Sequence, residues 1–236
     1  MIILLTIMEL RVYHLVNIQK ISTAFFILAC MHYFNNWSMT AYTYLVIHGS
    51  YGYCWMIKHF AFPSSNSFTK VDTPVFIILI ILLFGLYWAI PVIAISDKTP
   101  ASPGFLALCC IMYIFGLVVM LVSDCQMHFS LKYHPGHLIT SGMFSLIRQP
   151  NFAGEILLYL SFCLLSRSWI SFLLFGIAFA GVLYPTMTNK EKSLSRYPEW
   201  KDYSARTGMC FPPVGRLLES IGYEMGMRAG EDVKSK

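Results

Sequence analysis

Charge is the scarcest commodity in this sequence: only 12% of 236 residues are Asp, Glu, Lys or Arg, about half the share of a soluble globular chain. The deficit excludes an ordinary water-facing surface over most of the length. Also missing are GxGxxG, a Walker loop, HExxH and GxSxG, so soluble dinucleotide-binding, NTPase, zinc-protease and α/β-hydrolase readings have no motif to stand on. Seven cysteines form no CxxC pair and no Cys/His spacing suited to zinc. Several lie in apolar runs, where Cys behaves as a small hydrophobe. They read as reduced packing residues rather than a disulfide framework. No metal site is expected: His32, His128, His134 and His137 have no carboxylate or Cys at a ligand spacing and read as boundary or loop residues.

What is abundant is apolar. Hydrophobic residues make up 56% of the chain and its mean hydropathy is +0.59. The expected class is an all-α integral membrane protein. Apolar blocks at 21–36, 39–57, 73–96 and 103–123 are followed by a helical hairpin, 151–166 and 169–184, with Arg167 at its tip. The block 73–96 rises about 36 Å as a helix, more than the roughly 30 Å of a hydrocarbon core. The prediction is six transmembrane helices, or seven if the segment 1–16 inserts rather than lying on the membrane surface. Glu9 and Arg11 interrupt that segment, which makes it a poor signal peptide.

The few charges are unevenly placed. With six spans, Arg11, Lys20, Lys58, Lys70, Lys132, Arg148 and all nine Lys and Arg from Lys190 to Lys236 share one side. Of 17 basic residues only Lys98 and Arg167 are left opposite. Such an excess marks the cytosolic face, so the loop 124–150 and an amphipathic tail are expected there. The net charge of +5 suits headgroups or phosphates rather than nucleic acid. The organisation expected is an N-terminal bundle 1–123 with a lipid-substrate site, a cofactor-binding domain 124–213, and a polar tail 214–236.

Chemistry concentrates after Asp124. Pro150 suits a first helical turn, and Asn151 and Glu155 then share one face, with Arg148 about one turn before them. An ionisable group near a membrane boundary is expensive without a partner; for Glu155 that partner is expected to be Arg148 or a ligand, and its other reading is a dipole-complementing first-turn acid. In TNKEKSLSRYPEWKDYSARTGMCFPP, Lys and Arg alternate with Tyr197, Trp200 and Tyr203. Such a segment rests on headgroups or closes over a phosphorylated cofactor, with Lys190, Lys201 and Arg206 as phosphate donors. In the N-terminal half, His48 and Tyr51 share a helical face. They read either as the acid of a reductase, one that protonates a substrate oxygen while hydride arrives at carbon, or as inter-helix hydrogen-bonding residues.

The segments Gly142–Phe144, RQPNFAGE (148–155), YPEWKDY (197–203) and FPP (211–213) resemble the C-terminal domain of membrane steroid 5α-reductases, and more closely the uncharacterised microbial and protist relatives of those enzymes. Sterol C14-reductases and trans-2-enoyl-CoA reductases belong to the broader group. Isoprenylcysteine carboxyl methyltransferases and phospholipid methyltransferases share a related RHPxYxG signature. The resemblance covers about 90 residues, 124–213. It implies an NADPH-dependent reductase of a C=C bond in a steroid, sterol or enoyl lipid, drawn from the bilayer, in the endoplasmic reticulum or another intracellular membrane. It also implies that Asp124, Asn151 and Glu155 contact NADPH, with Arg148 near its phosphates. The sequence departs from the common pattern at Gln149, where relatives have His, and Phe152, where they have Tyr. The alternatives are an S-adenosylmethionine-dependent methyltransferase and a catalytically silent structural subunit. Those methyltransferases carry paired glutamates after the hairpin, where this chain has only Glu191.

Overall fold

A computed structural model describes residues 12–63 and 81–213 of the chain. The segment 1–11, Lys70, the first part of the expected span 73–96, and the tail 214–236 lie outside the described residues. Among those described, every regular element is helical, and the sole bridge pairs Ile147 with Gly208. Helix α1 is Val12–Tyr33 and α2 covers 39–61, with a π-helical turn at Leu45–Gly49. Helix α3 covers 81–96, α4 is Pro103–Tyr133, α5 is Pro150–Ser166, α6 is Trp169–Leu194 and α7 is Trp200–Arg206.

The starts and stops follow local chemistry. Ser38, Ser102 and Ser168 cap α2, α4 and α6, each hydroxyl accepting a first-turn N–H. Pro103 and Pro150 occupy first turns, where their missing N–H is not needed. Arg167 takes a left-handed conformation, φ 52°, to reverse the chain between α5 and α6. Two helices outrun their apolar blocks. Helix α4 continues ten residues past 123, to Tyr133, and α6 continues to Leu194. The sequence Asp124–Tyr133 holds no Gly or Pro, so nothing breaks the helix before His134-Pro135-Gly136. The first part of the expected 124–150 loop is therefore helix, and Asp124 is a buried helical residue.

Among the described residues three helices are long and apolar enough to cross a membrane: His14–Tyr33, Pro103–Tyr133 and Trp169–Leu194; Phe84–Ser96 and Pro150–Ser166 are shorter apolar helices. Length and composition thus support three membrane-spanning helices among the described residues, and the expected span 73–96 lies partly outside them. Large apolar residues line the outside, among them Phe25, Ile111, Phe115, Phe172 and Ile177. The interior cluster runs through Ile27, Met31, Tyr44, Tyr51, Cys109, Met120, Leu158 and Phe162. All seven cysteines are free.

Small residues let the backbones touch. A methyl group added at Gly154 of α5 would stand 2.5 Å from the Gly116 carbonyl oxygen and 2.6 Å from the Met120 nitrogen of α4. Where apolar surroundings give helices no hydrophobic reason to associate, such close packing supplies the dispersion contact. At one end of the bundle the connections lock together. Asn36 donates to the Ile95 carbonyl at 2.7 Å, and Arg167 pairs with Asp97 at 2.7 Å while also donating to the Thr99 carbonyl. Lys98 therefore shares this end with Arg167.

Gly154→Ala is expected to lower the thermal midpoint, by roughly 1–3 kcal/mol of overpacking. Gly176→Ala, where an added carbon meets nothing within 4 Å, is expected to leave it unchanged or raise it. Thermal unfolding in detergent checks both. The Asp97 carboxyl is held below its usual range chiefly by hydrogen bonds from Thr99, with the Arg167 guanidinium adding to them. Its contribution is thus present above the unfolded carboxylate value of about 4 and is lost as pH falls through the lower folded value. Asp97→Asn should flatten that acid limb of the stability profile by lowering stability at pH 7 towards the acid-end value.

Candidate functional site

The interior carries a polar cluster drawn from α1, α2, α3 and α5. Gly52 of α2 sits against the Lys20 backbone so closely that any Cβ would overlap the Lys20 carbonyl. That contact fixes the rotation of α1 and turns the Lys20 side chain inward, leaving the residue 5% exposed. Its ammonium donates to the hydroxyls of Tyr87 and Tyr159, both at 3.2 Å. It also lies over the rings of Tyr87 (4.3 Å), Tyr51 (4.4 Å) and Trp55 (5.6 Å), an aromatic lining that attracts a cation.

Glu155 and Tyr159 are one helical turn apart on α5. Tyr159 donates to Glu155 Oε1 at 2.9 Å, and Tyr51 of α2 donates to the same oxygen at 3.3 Å. Ammonium and carboxylate are thus joined through a phenol rather than in a direct ion pair. His48 lies one turn from Tyr51, in the π-helical turn of α2, a distortion that recurs at functional sites. Its Nδ1 is 3.0 Å from the Tyr44 hydroxyl and its ring stacks on Phe162 at 4.0 Å. Its Nε2 is buried with no hydrogen-bond partner among the described residues.

Towards the end of the bundle away from Arg167, Lys58 pairs with Asp124 and stands 4.5 Å from the Trp55 ring centroid. The Trp55 ring therefore has both the Lys20 and the Lys58 ammonium groups near it. Lys190 meets the Met127 thioether at 3.6 Å and lies 5.7 Å from the Phe152 ring. The Asn151 amide oxygen is buried with no hydrogen-bond partner among the described residues.

Arg148 stands apart from this cluster. Its Nε pairs with Glu191 at 2.8 Å, and its Nη1 donates to the carbonyls of Ser204 (3.1 Å) and Thr207. Gln149 donates to Glu191 Oε1 and to the Met187 carbonyl, at 2.8 and 2.9 Å. Tyr203 donates to the Phe144 carbonyl at 2.7 Å, and burial pushes its hydroxyl up to about 12. Together with backbone bonds from Arg148 to Gly208 and from Gln149 to Met209, these contacts clasp α7 and its connection against the start of α5. Arg148 was expected beside Glu155; it is paired with Glu191 instead. Gln149, just before α5, takes φ −132° and ψ 61°, so the helical spacing that would align Arg148 with Asn151 and Glu155 does not extend back to it.

Of the residues the sequence marked, the structure brings Tyr51 and Glu155 into one hydrogen-bonded group with His48 a turn away. Asp124 is paired with Lys58, while Lys201 and Arg206 are exposed on α7. Lys20, Tyr87 and Tyr159 were not marked. Tyr159 extends the Asn151–Glu155 stripe by one further turn, and Lys20 is an isolated cation entering an apolar run; both signals were readable.

A family model described as "Protein of unknown function (DUF1295)" matches residues 50–207. No curated protein and no solved structure matches the chain. The matched region includes Tyr51, Glu155, Tyr159 and the clasp; it begins after Lys20 and His48.

Arg148→Ala should loosen the clasp by on the order of 2 kcal/mol, the scale of hydrogen bonds made by a charged group. Hydrogen–deuterium exchange is expected to rise at 200–207 and to stay unchanged around Gly116 and Gly154. Arg148→Lys should not restore protection, because an ammonium cannot reproduce the planar fork.

Proposed function

The chain belongs to the DUF1295 family, within the steroid 5α-reductase-like superfamily, and from that premise we propose that it is a multi-pass membrane reductase using NADPH to saturate a C=C bond in a lipid. The observation that carries the reading is the hydrogen-bonded group of Tyr51, Glu155, Tyr159 and Lys20 inside an apolar bundle. Ionisable groups at such a position are costly and by default functional, and phenols beside a carboxylate and an ammonium can hold and move a proton. The apolar exterior and the three long helices support a bilayer setting from which a steroid, sterol or enoyl lipid would enter sideways. An intracellular membrane such as the endoplasmic reticulum is the location proposed.

Bound NADPH would supply the hydride. The residues fit such a group in part. Asn151 offers a buried amide oxygen without a partner, suited to a ribose hydroxyl or a carboxamide N–H. Among the described residues Lys190 meets a thioether and a ring and makes no ion pair, although Asp124 and Glu191 act on it from farther off, which leaves its ammonium available to phosphate. Asp124 with Lys58 adds a polar wall near Lys190. Arg148 is engaged by Glu191, Ser204 and Thr207, so Lys190, with the exposed Lys201 and Arg206, is the better source of phosphate contacts. Within the cluster, Glu155 orients the Tyr51 and Tyr159 hydroxyls and His48 packs beside them. Glu191, the residue nearest a methyltransferase pattern, accepts from Arg148 and Gln149; this favours the reductase over S-adenosylmethionine chemistry.

Calorimetric titration of the purified protein with NADPH and with S-adenosylmethionine tests the reading. Saturable NADPH binding, weakened in Lys190→Met, is expected. Binding of S-adenosylmethionine alone would establish the methyltransferase, and binding of neither, with stoichiometric co-purified partners, a structural subunit. Tyr51→Phe should lower lipid reduction by about 10²–10⁴-fold, the usual worth of a positioned proton-transfer group, with NADPH affinity unchanged.

A further inference from the structure

We propose that the last turns of α4 bind the headgroup of an anionic phospholipid. Lys132 is the phosphate contact, and Phe129 and Tyr133 are the rings that hold it at headgroup depth. The proposal rests on the bilayer setting and not on the reductase reading.

Length sets the depth. Helix α4 has 31 residues and rises about 46 Å, whereas a hydrocarbon core is about 30 Å thick and a bilayer with its headgroups about 40–45 Å. With Pro103 at one surface, the final turns therefore reach the headgroup layer of the other. The end of α2 marks the same level. Its Phe62 ring meets the His128 ring at 6.5 Å, and Phe60, two residues earlier, is 77% exposed. Aromatic side chains on the outside at such a level belong to a membrane–water interface.

The chemistry of the helix end points to a lipid rather than to water. Phe129 and Tyr133, one turn apart, stack with ring centroids 6.1 Å apart, and both are exposed, as is Leu131 between them. A helix end standing in water gains nothing from three large exposed apolar side chains, whereas lipid covers them. The Lys132 ammonium lies 5.5 Å from the Tyr133 ring and 5.9 Å from the Phe129 ring. A lysine so placed keeps its charge among phosphates while its stem follows apolar surface.

No carboxylate of these two helix ends competes for that charge. The sequence has no Asp or Glu from Ser50 to Pro63 or from Cys125 to Gln149, and Asp124 is paired with Lys58. Among the described residues Lys132 makes no ion pair. His59, His128, His134 and His137 are the remaining basic residues of these stretches, and none adds negative charge. A free phosphate would meet a single exposed cation here. A phospholipid brings its phosphate to that cation while its glycerol and upper chains cover Phe129, Leu131 and Tyr133.

Native mass spectrometry of the purified full-length protein, released from mixed micelles holding equal amounts of phosphatidylglycerol and phosphatidylcholine, counts the lipids it retains. The wild-type protein is expected to retain phosphatidylglycerol in preference. Lys132→Gln should lower that preference about 5-fold, the worth of one basic residue near an anionic surface. Lys98→Gln, at the opposite end of the bundle, should leave it unchanged. Phosphatidylglycerol, and not phosphatidylcholine, should also slow hydrogen–deuterium exchange at 128–137. Equal retention of the two lipids overturns the proposal, as does a preference that Lys132→Gln leaves intact or that Lys98→Gln lowers as much. Displacement of the retained lipid by inorganic phosphate would replace the headgroup site with a free-phosphate site and overturn it too. The NADPH titration is independent of these counts: its failure would refute the reductase reading and leave the headgroup site standing.

Discussion

Burying an ammonium and a carboxylate in the same apolar interior, without letting them meet, is the constraint around which this bundle is arranged. Each charge must be satisfied by hydrogen bonds, since its desolvation is otherwise prohibitive. Lys20 and Glu155 solve this through Tyr159, which accepts from one and donates to the other. Such a bridge tolerates little slack: phenol and carboxylate come from α5 and the ammonium from α1, and each hydrogen-bonded contact must stay near 3.2 and 2.9 Å. The glycine contacts supply that rigidity. Gly52 seats α2 on the Lys20 backbone, and Gly116 against Gly154 fixes α5, which carries Glu155 and Tyr159. Close packing by the smallest residue and charge burial are here two parts of one arrangement.

Much of this architecture was legible as pattern. The paucity of charge, the apolar runs and their Ser and Pro punctuation pointed to helices, and helices are found throughout the described residues. The hairpin around Arg167 and the helix starting at Pro150 were readable from local chemistry, because caps and first-turn prolines act within a few residues. Helix ends were less so. Asp124–Tyr133 looked like a loop because it is polar, yet polarity does not end a helix, and only His134-Pro135-Gly136 does. The site was half legible. Tyr51 and Glu155 were each singled out, for different roles, and their meeting depends on the relative rotation of α2 and α5, which no spacing in the sequence encodes. Lys20 was read as one more charge marking the cytosolic side; its inward direction depends on Gly52, 32 positions later.

The clasp shows the same limit from the other side. Arg148 looked like a partner for Glu155 because helical spacing was extended backward past Pro150. The non-helical conformation at Gln149 ends that periodicity, and the guanidinium turns to Glu191 and the carbonyls that close α7. Four bonds from one planar fork, with Gln149 as a second donor to Glu191, tie the segment after α6 to the start of α5. The basic, aromatic stretch around Trp200 is thus held beside the end of the bundle where Lys190, Asp124 and Lys58 lie.

Stability alone would not select the central arrangement. A buried charge pair seldom repays its desolvation, and apolar residues of similar volume often do as well or better. A direct Lys20–Glu155 pair would recover the most Coulomb energy and would neutralise both groups. Interposing Tyr159 forgoes part of that energy and keeps the ammonium's field usable. It leaves Tyr87 bonded to the cation, Tyr51 to the carboxylate and Tyr159 to both, so chemically identical phenols sit in different electrostatic environments. Separating like groups by environment is how one interior can hold a proton donor and a proton holder at the same pH. The cost of burying Lys20 is therefore met by two phenol oxygens and the surrounding rings rather than by a direct ion pair with Glu155.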